Sequence, residues 1–225
     1  NALRADFSDP NRVVFQGAYP GACGERNWPV LYGDARTYAT RVVEGMWAQL
    51  GGQLQGKVRY GQVPVGAVAA FEHTSPPLTD VVRDINKFSN NVMAQQLFLR
   101  LGSGSFEASR STVAQWWAKR WPAMPAPLLE NGSGLSRVER INARSLAAML
   151  QTALGSDVGM ALRDSLPIAG LDGTLRQSKA RRAAGQAWLK TGSLRDVMAV
   201  AGYVRGESGQ FHVLVAIVNH PTSAS

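Results

Sequence analysis

The sequence AWLKTGSL occupies residues 187–194 and joins a predicted β-strand to a lysine, a threonine, a glycine and a serine in succession. The residues from 197 to 204 and from 211 to 218 have the composition of two further strands. A glycine-rich turn, GESG at 206–209, separates the last two strands. The spacing predicts an antiparallel meander of three strands near the end of the chain.

Helical patterns precede this meander. Apolar residues recur at helical spacing between Leu78 and Phe88. Further helices are predicted at 37–50, 90–101, 111–121 and 143–154, and short strands at 58–60 and 67–71. Helices followed by an antiparallel meander indicate an α+β domain in which helices cover a sheet. A boundary is expected near Gly61 to Pro64, which divides the chain into residues 1–63 and residues 64–225.

Two short motifs carry candidate chemistry: SNN at residues 89–91, between two predicted helices, and KTGS at residues 190–193. Acyl transfer to a serine needs a base, a proton for the leaving amine and an oxyanion hole. Ser89 can relay a proton to the departing amine, and the Asn91 amide can hold a peptide carbonyl. The simpler interpretation is that Ser89 caps the next helix and Asn91 is solvated in its first turn.

The KTGS motif suits the recognition of a peptide with a free carboxylate. Lys190 can place a cation beside that carboxylate, and Thr191 can donate a hydrogen bond to it. Gly192 has no side chain, so a substrate can approach the strand edge. The backbone N–H of Ser193 is suited to form half of an oxyanion hole. The simpler interpretation is an exposed lysine at a strand end, followed by a turn.

The order of four segments resembles a known family. VRDINKFSNN at 82–91, NGSGLSR at 131–137, LPIAGLDGTL at 166–175 and KTGSL at 190–194 resemble the INKxSxN, DGSGLSR, LPxAGxDGTL and KTG segments of the S13 family of penicillin-binding D-Ala-D-Ala carboxypeptidases. The resemblance runs from about residue 65 to the end. Residues 1–63 resemble the tail of the accessory domains that this family inserts between its S-x-x-K and S-x-N boxes.

The resemblance implies the penicillin-binding/β-lactamase-like transpeptidase fold, an antiparallel sheet flanked by helices. It implies a serine carboxypeptidase or endopeptidase that acts on peptidoglycan stem peptides through an acyl-enzyme and reacts with β-lactams, without metal or organic cofactor. Ser89, Asn91 and Lys190 would be catalytic, and Thr191, Gly192 and Ser193 would bind substrate. The expected compartment is the periplasm.

The chain departs from the family pattern at several points. No S-x-x-K occurs in its 225 residues, so we expect the nucleophilic serine and its lysine base on an upstream segment of the same protein. Asn131 stands where the family usually has aspartate, which would keep a local turn and lose the charge. The chain also stops soon after NHP at 219–221, where family members usually continue into a final helix. Both ends therefore look cut.

Two other functions stay open. A serine β-lactamase or esterase of the same superfamily would share both motifs, but such enzymes lack accessory insertions. A cell-wall-binding homologue without catalysis would not need intact motifs, although the upstream segment could still be degenerate.

Composition narrows the classes of function and binding site that remain. The net charge of +8 could attract nucleic acid, but the basic residues are scattered and no nucleic-acid-binding motif accompanies them, so an anionic cell-wall polymer fits as well. No apolar run is long enough to cross a bilayer. The lone Cys23 cannot form a disulfide within this chain, which leaves a free structural thiol or a pairing with a residue in a missing segment. No His/Cys cluster suggests a metal site, and His73, His212 and His220 form no triad pattern. Trp116, Trp117 and Trp121 suit a core stripe better than a sugar-stacking shelf.

Overall fold

The structure, a computed structural model, describes residues 3–9, 12–25 and 34–221. The chain divides into two compact units, Asn1–Glu72 and His73–Ser225. This division falls later than the boundary expected near Val63. The assignment of the first unit to an inserted accessory domain stays a prediction. Among the described helices, none has the length and apolar character that a bilayer span requires.

The described part of the N-terminal unit includes an antiparallel pair, β1 (Arg4–Asp9) and β2 (Arg12–Gln16), and the α-helix α1 (Ala35–Gln49). The predicted strands at 58–60 and 67–71 are wrong, because neither segment pairs with a strand among the described residues. The backbone N–H of Val58 instead donates to Glu44 Oε1 at 2.9 Å. Val68 and Phe71 are almost fully exposed. β-propensity without a partner strand does not produce a strand.

The C-terminal unit begins with helices, most of them where the sequence predicts them. They are α2 (Leu78–Phe88), α3 (Asn91–Leu101), α4 (Phe106–Arg120), α5 (Ala143–Leu154) and α6 (Gly159–Ser165). The side chains of Ser105 and Asn142 accept backbone N–H groups at the starts of α4 and α5, as N-caps do. The helix α6 was not predicted from the sequence, because its seven residues are too few to show a helical period.

The predicted meander is confirmed. Three antiparallel strands, β3 (Ala187–Leu194), β4 (Val197–Arg205) and β5 (Phe211–Asn219), lie in the order β3-β4-β5. Lys190 lies opposite Ala201 in the β3–β4 register. One face of the sheet packs on helices, because the alternate residues of β5 from Phe211 to Ile217 are partly buried while their neighbours are exposed.

The core between this face and the helices is centred on Leu150, Leu166 and Tyr203. Tyr203 is fully buried and its hydroxyl donates to the Leu150 carbonyl at 2.8 Å, which ties β4 to α5. Burial raises the pKa of the Tyr203 phenol, so the group stays a hydrogen-bond donor at neutral pH. Helices covering one face of an antiparallel sheet confirm the predicted α+β class.

The three tryptophans of α4 and its end form one aromatic cluster. Trp117 is only 1% exposed, and its ring lies 4.7 Å from that of Trp121 between centroids. The Trp117 indole N–H donates to the Met124 carbonyl at 3.3 Å. The core interpretation therefore holds for Trp117, whereas Trp116 keeps two-fifths of its surface exposed.

Candidate active site

The outer edge of β3 is covered along its first half. The Leu189 N–H donates to the Pro167 carbonyl at 2.8 Å, and the Ala187 carbonyl accepts from the Ala169 N–H at 2.9 Å. Alternate residues of a strand direct their backbone groups to the same edge, so Thr191 and Ser193 face the same side as Leu189. The described residues leave that second half uncovered. Its N–H groups can pair with an extended peptide, while the Thr191 carbonyl already accepts from the Lys190 side chain.

Ser89 ends α2 in a left-handed backbone conformation, with φ 52° and ψ 47°. This region is uncommon for a residue with a side chain and occurs often at functional sites. The interpretation of Ser89 as the N-cap of the next helix is wrong, because Asn90 caps the start of α3 instead. The Asn90 Oδ1 atom accepts the Met93 N–H at 3.0 Å. The Ser89 hydroxyl is therefore not used by the helix that follows it.

Ser89 and Lys190 meet, as the paired motifs lead one to expect. The Lys190 ammonium donates to Ser89 Oγ at 2.5 Å and to the Thr191 carbonyl at 3.0 Å. Lys190 is partly buried, and desolvation lowers the pKa of its amine. A hydroxyl that already accepts from a cation has its own proton free to donate. The pair can therefore pass a proton to a nitrogen placed beside Ser89.

The other residues singled out from the sequence lie around this pair. Thr191, Gly192 and Ser193 are exposed on β3, and Asn91 is the partly buried first residue of α3. An added Cβ at Gly192 would meet only the Ala199 methyl, at an ordinary contact distance of 3.8 Å. The described chain thus has room for a side chain there.

The residues before Ser89 anchor α2 to the segment that precedes β3. The Asn86 amide donates to Ser165 Oγ at 2.8 Å. The buried Lys87 ammonium donates at 2.6 Å to both the Leu166 carbonyl and Asp172 Oδ2. Asp172 directly precedes a 3-10 turn, and its ion pair with Lys87 was not predicted from the sequence. Nothing in local sequence links residues 85 positions apart.

The NGSGLSR segment forms a loop held by its own polar groups. Asn131 Oδ1 accepts from the Ser133 N–H at 2.9 Å and from its hydroxyl at 2.6 Å, as an aspartate oxygen would. Glu139 Oε1 accepts the N–H groups of residues 130, 131 and 132 at 3.0 to 3.4 Å. This carboxylate was not singled out from the sequence. It supplies an acceptor to three backbone donors in one bend.

A cavity of about 570 Å³ lies between this loop and the β3–β4 turn. Its lining includes Arg137, Arg140, Leu194, Asp196 and His220. One Arg137 guanidinium nitrogen donates to the Arg195 carbonyl at 2.5 Å, and another lies 3.8 Å from Asp196 Oδ2. Because Leu194 follows Ser193, the cavity borders the end of the uncovered strand edge.

The remaining candidates from the sequence, Cys23 and His212, add nothing to the chemistry of the Ser89–Lys190 pair. Cys23 is exposed and forms no disulfide with any described residue. His212 is exposed on β5 with its imidazole beside Gly206. Within the described ranges, no group of three or more His, Cys, Asp or Glu side chains is arranged to hold a metal ion.

Comparisons with known proteins agree on one family. The sequence profile of the D-Ala-D-Ala carboxypeptidase 3 (S13) family matches residues 2–225. The chain is 27% identical over 191 residues, 81% of its length, to the D-alanyl-D-alanine carboxypeptidase DacB of Haemophilus influenzae. It is 30% identical over 224 residues, 93% of its length, to a D-alanyl-D-alanine carboxypeptidase from an Actinomadura species. The chain spans 40% and 41% of those two relatives.

A solved structure shares the fold. Penicillin binding protein 4 from Haemophilus influenzae, determined in complex with a β-lactam, superposes with a TM-score of 0.74 at 24% identity. The match covers 100% of this chain and 54% of that one. The likeness confirms the expected penicillin-binding fold.

Proposed function

The chain belongs to the D-Ala-D-Ala carboxypeptidase 3 (S13) family, and from that premise we propose that the whole protein is a serine-type D-Ala-D-Ala carboxypeptidase or endopeptidase. It cleaves peptidoglycan stem peptides through an acyl-enzyme and is acylated by penicillin. The observation that carries the proposal is the 2.5 Å contact between Ser89 Oγ and Lys190 Nζ beside an uncovered strand edge. This pair supplies a cation and a transferable proton in one place.

In this proposal β3 binds the substrate. An extended peptide pairs with the edge at Thr191 and Ser193, and its terminal carboxylate is held by the Lys190 ammonium and the Thr191 hydroxyl. The absent side chain of Gly192 lets the peptide backbone come close. The Ser193 N–H forms half of the oxyanion hole for the developing negative charge.

The upstream S-x-x-K segment of the same protein supplies the nucleophile. The residues of this chain must therefore pair with that segment to complete the active site. The lysine of that segment takes the proton of its serine as the serine attacks the carbonyl carbon, the peptide C–N bond breaks, and an ester forms. Ser89 gives its hydroxyl proton to the leaving amine nitrogen and regains a proton from Lys190, and the proton held by the upstream lysine returns to Lys190 through solvent. The Asn91 amide holds a substrate carbonyl beside this relay. Water then hydrolyses the ester, and no step uses a metal or an organic cofactor.

We place this activity in the periplasm, where peptidoglycan stem peptides are found. The net charge of +8 favours association with anionic cell-wall polymers, so a nucleic-acid partner is not needed to explain it.

The proposal is tested with the full-length protein. A fluorescent penicillin should label it stoichiometrically, and it should release D-alanine from a peptide that ends in D-Ala-D-Ala. A protein that hydrolyses penicillin rapidly but leaves the peptide intact would be a β-lactamase instead. A folded protein that binds peptidoglycan but shows neither labelling nor release would be a non-catalytic homologue.

A further inference from the structure

Lys87 places a charge inside the protein two residues before Ser89. It is 8% exposed, and its ammonium reaches the Leu166 carbonyl and Asp172 Oδ2, each at 2.6 Å. A buried ammonium without partners is strongly unfavourable, so these two contacts restrict where the last turn of α2 can lie. Phe88, between Lys87 and Ser89, is 70% exposed, so its packing does not hold the turn.

Asp172 continues the connection into the segment that covers β3. Its second oxygen, Oδ1, accepts the Ile168 N–H at 2.7 Å. The residue before Ile168, Pro167, accepts the Leu189 N–H at 2.8 Å, and Leu189 is the neighbour of Lys190. A path of hydrogen bonds through Asp172 and the Pro167–Ile168 peptide therefore connects Lys87 to Leu189.

We propose that Lys87 and Asp172 are positioning residues that hold the Ser89 hydroxyl against the Lys190 ammonium. Ser89 needs such support because a left-handed backbone is unfavourable for a residue with a Cβ and persists only where neighbours hold it. The ion pair acts through the geometry of the Ser89–Lys190 contact and touches no substrate. This inference rests on the proposed function.

The first test changes each partner in the full-length protein. Lys87→Met and Asp172→Ala should slow acylation by penicillin roughly 10- to 100-fold, which is the scale expected when reacting groups move by about 1 Å. The affinity of the complex before acylation should change by less than about 3-fold, because Lys190 and Thr191 still hold the carboxylate. Asp80→Asn is the matched control, since it breaks an exposed pair with Arg83 on the same helix and should leave acylation unchanged.

The second test separates positioning from a general loss of stability. In a Ser89→Ala background the same two substitutions should reduce the acylation rate by less than about 2-fold, because the contact that they hold is already lost. An equal loss in both backgrounds would overturn the proposal. So would normal acylation by Lys87→Met or by Asp172→Ala in the otherwise unchanged protein.

The third test does not depend on activity. Lys87→Met could fail to fold because it leaves buried acceptors unpaired, but the Asp172 side chain is 41% exposed and its removal is milder. In a crystal structure of Asp172→Ala, Ser89 Oγ and Lys190 Nζ should lie beyond hydrogen-bonding distance. A Ser89 Oγ to Lys190 Nζ distance that is the same in Asp172→Ala would overturn the inference. Failure of penicillin to label the full-length protein without substitutions would instead refute the proposed function.

Discussion

The Ser89 hydroxyl oxygen accepts a hydrogen bond from the Lys190 ammonium at 2.5 Å, although the two residues are 101 positions apart. The contact joins the end of α2 to the uncovered half of the β3 edge. It brings together one residue from each of the two short motifs.

The Lys190 side chain should be needed for acylation. In the full-length protein, Lys190→Ala should cut the acylation rate by penicillin roughly 10²-fold or more, the scale of one preorganised electrostatic contact. Lys190→Arg should rescue poorly, because a planar guanidinium replaces a compact charge. Stopped-flow acylation kinetics would measure both, with Lys179→Ala as a control that removes an exposed positive charge elsewhere. Near-normal acylation by Lys190→Ala would leave the KTGS motif without a role.

Removing the Ser89 hydroxyl should separate activity from backbone strain. Ser89→Ala and Ser89→Gly should both lower the rate of D-alanine release by about 10²-fold or more, as loss of a proton relay does. Ser89→Gly should be more stable than Ser89→Ala by about 1 kcal/mol, because glycine adopts φ 52° without a Cβ penalty. Urea unfolding measures the second difference. Equal stabilities would indicate that the turn relaxes when the hydroxyl is lost.

Lys190 should titrate below the usual lysine range of about 10.4, since burial lowers the pKa of its amine. Carboxylate binding that needs the ammonium should therefore be present at neutral pH and weaken as the pH rises through this lowered pKa. NMR of lysine side chains in labelled protein would follow the titration, and Lys190→Arg should remove that signal. An amine that titrates at or above the ordinary value would contradict the desolvation argument.

The sequence pattern predicted much of the fold but few of the contacts that hold the candidate site in place. Helical spacing correctly predicted α2 and α5, and turn signals separated the last strands, because these features depend on near neighbours. The strand predicted at 67–71 failed because a strand needs a partner, which local composition cannot reveal. The Lys87–Asp172 pair and the Glu139 contacts depend on tertiary proximity. The SNN and KTGS motifs could be paired only through their order along the chain.

Gly132 should tolerate alanine less well than Gly134. Both have positive φ angles, 70° and 78°, but a Cβ at Gly132 would lie 2.4 Å from the Phe98 Cβ, whereas Gly134 faces open space. Gly132→Ala should therefore lower the free energy of unfolding by about 1–3 kcal/mol more than Gly134→Ala, the usual range for overpacking. Denaturant unfolding of the two variants provides the comparison. Similar losses would mean that backbone conformation, not the Phe98 contact, sets the requirement.

Residues 1–225 alone should form no covalent adduct with penicillin. Acylation needs a nucleophile with a base in hydrogen-bonding reach, and these residues contain no S-x-x-K. Supplying the upstream segment should restore labelling, with the label on that segment. Fluorescent penicillin followed by intact-mass measurement of each part would locate it. A stoichiometric adduct on residues 1–225 would show that the nucleophile lies within them.

The segment from Pro167 to Ala169 has a consequence for solubility as well as for the site. An exposed strand edge can template association with other chains, and proteins commonly shield such edges. By pairing with Ala187 and Leu189, this segment leaves only a short stretch of β3 uncovered among the described residues. Three residues extend only about 10 Å, which is enough for the end of a peptide and too short to seed a growing sheet. The contacts that cover the first half of the edge thus leave a binding edge that is too short for aggregation.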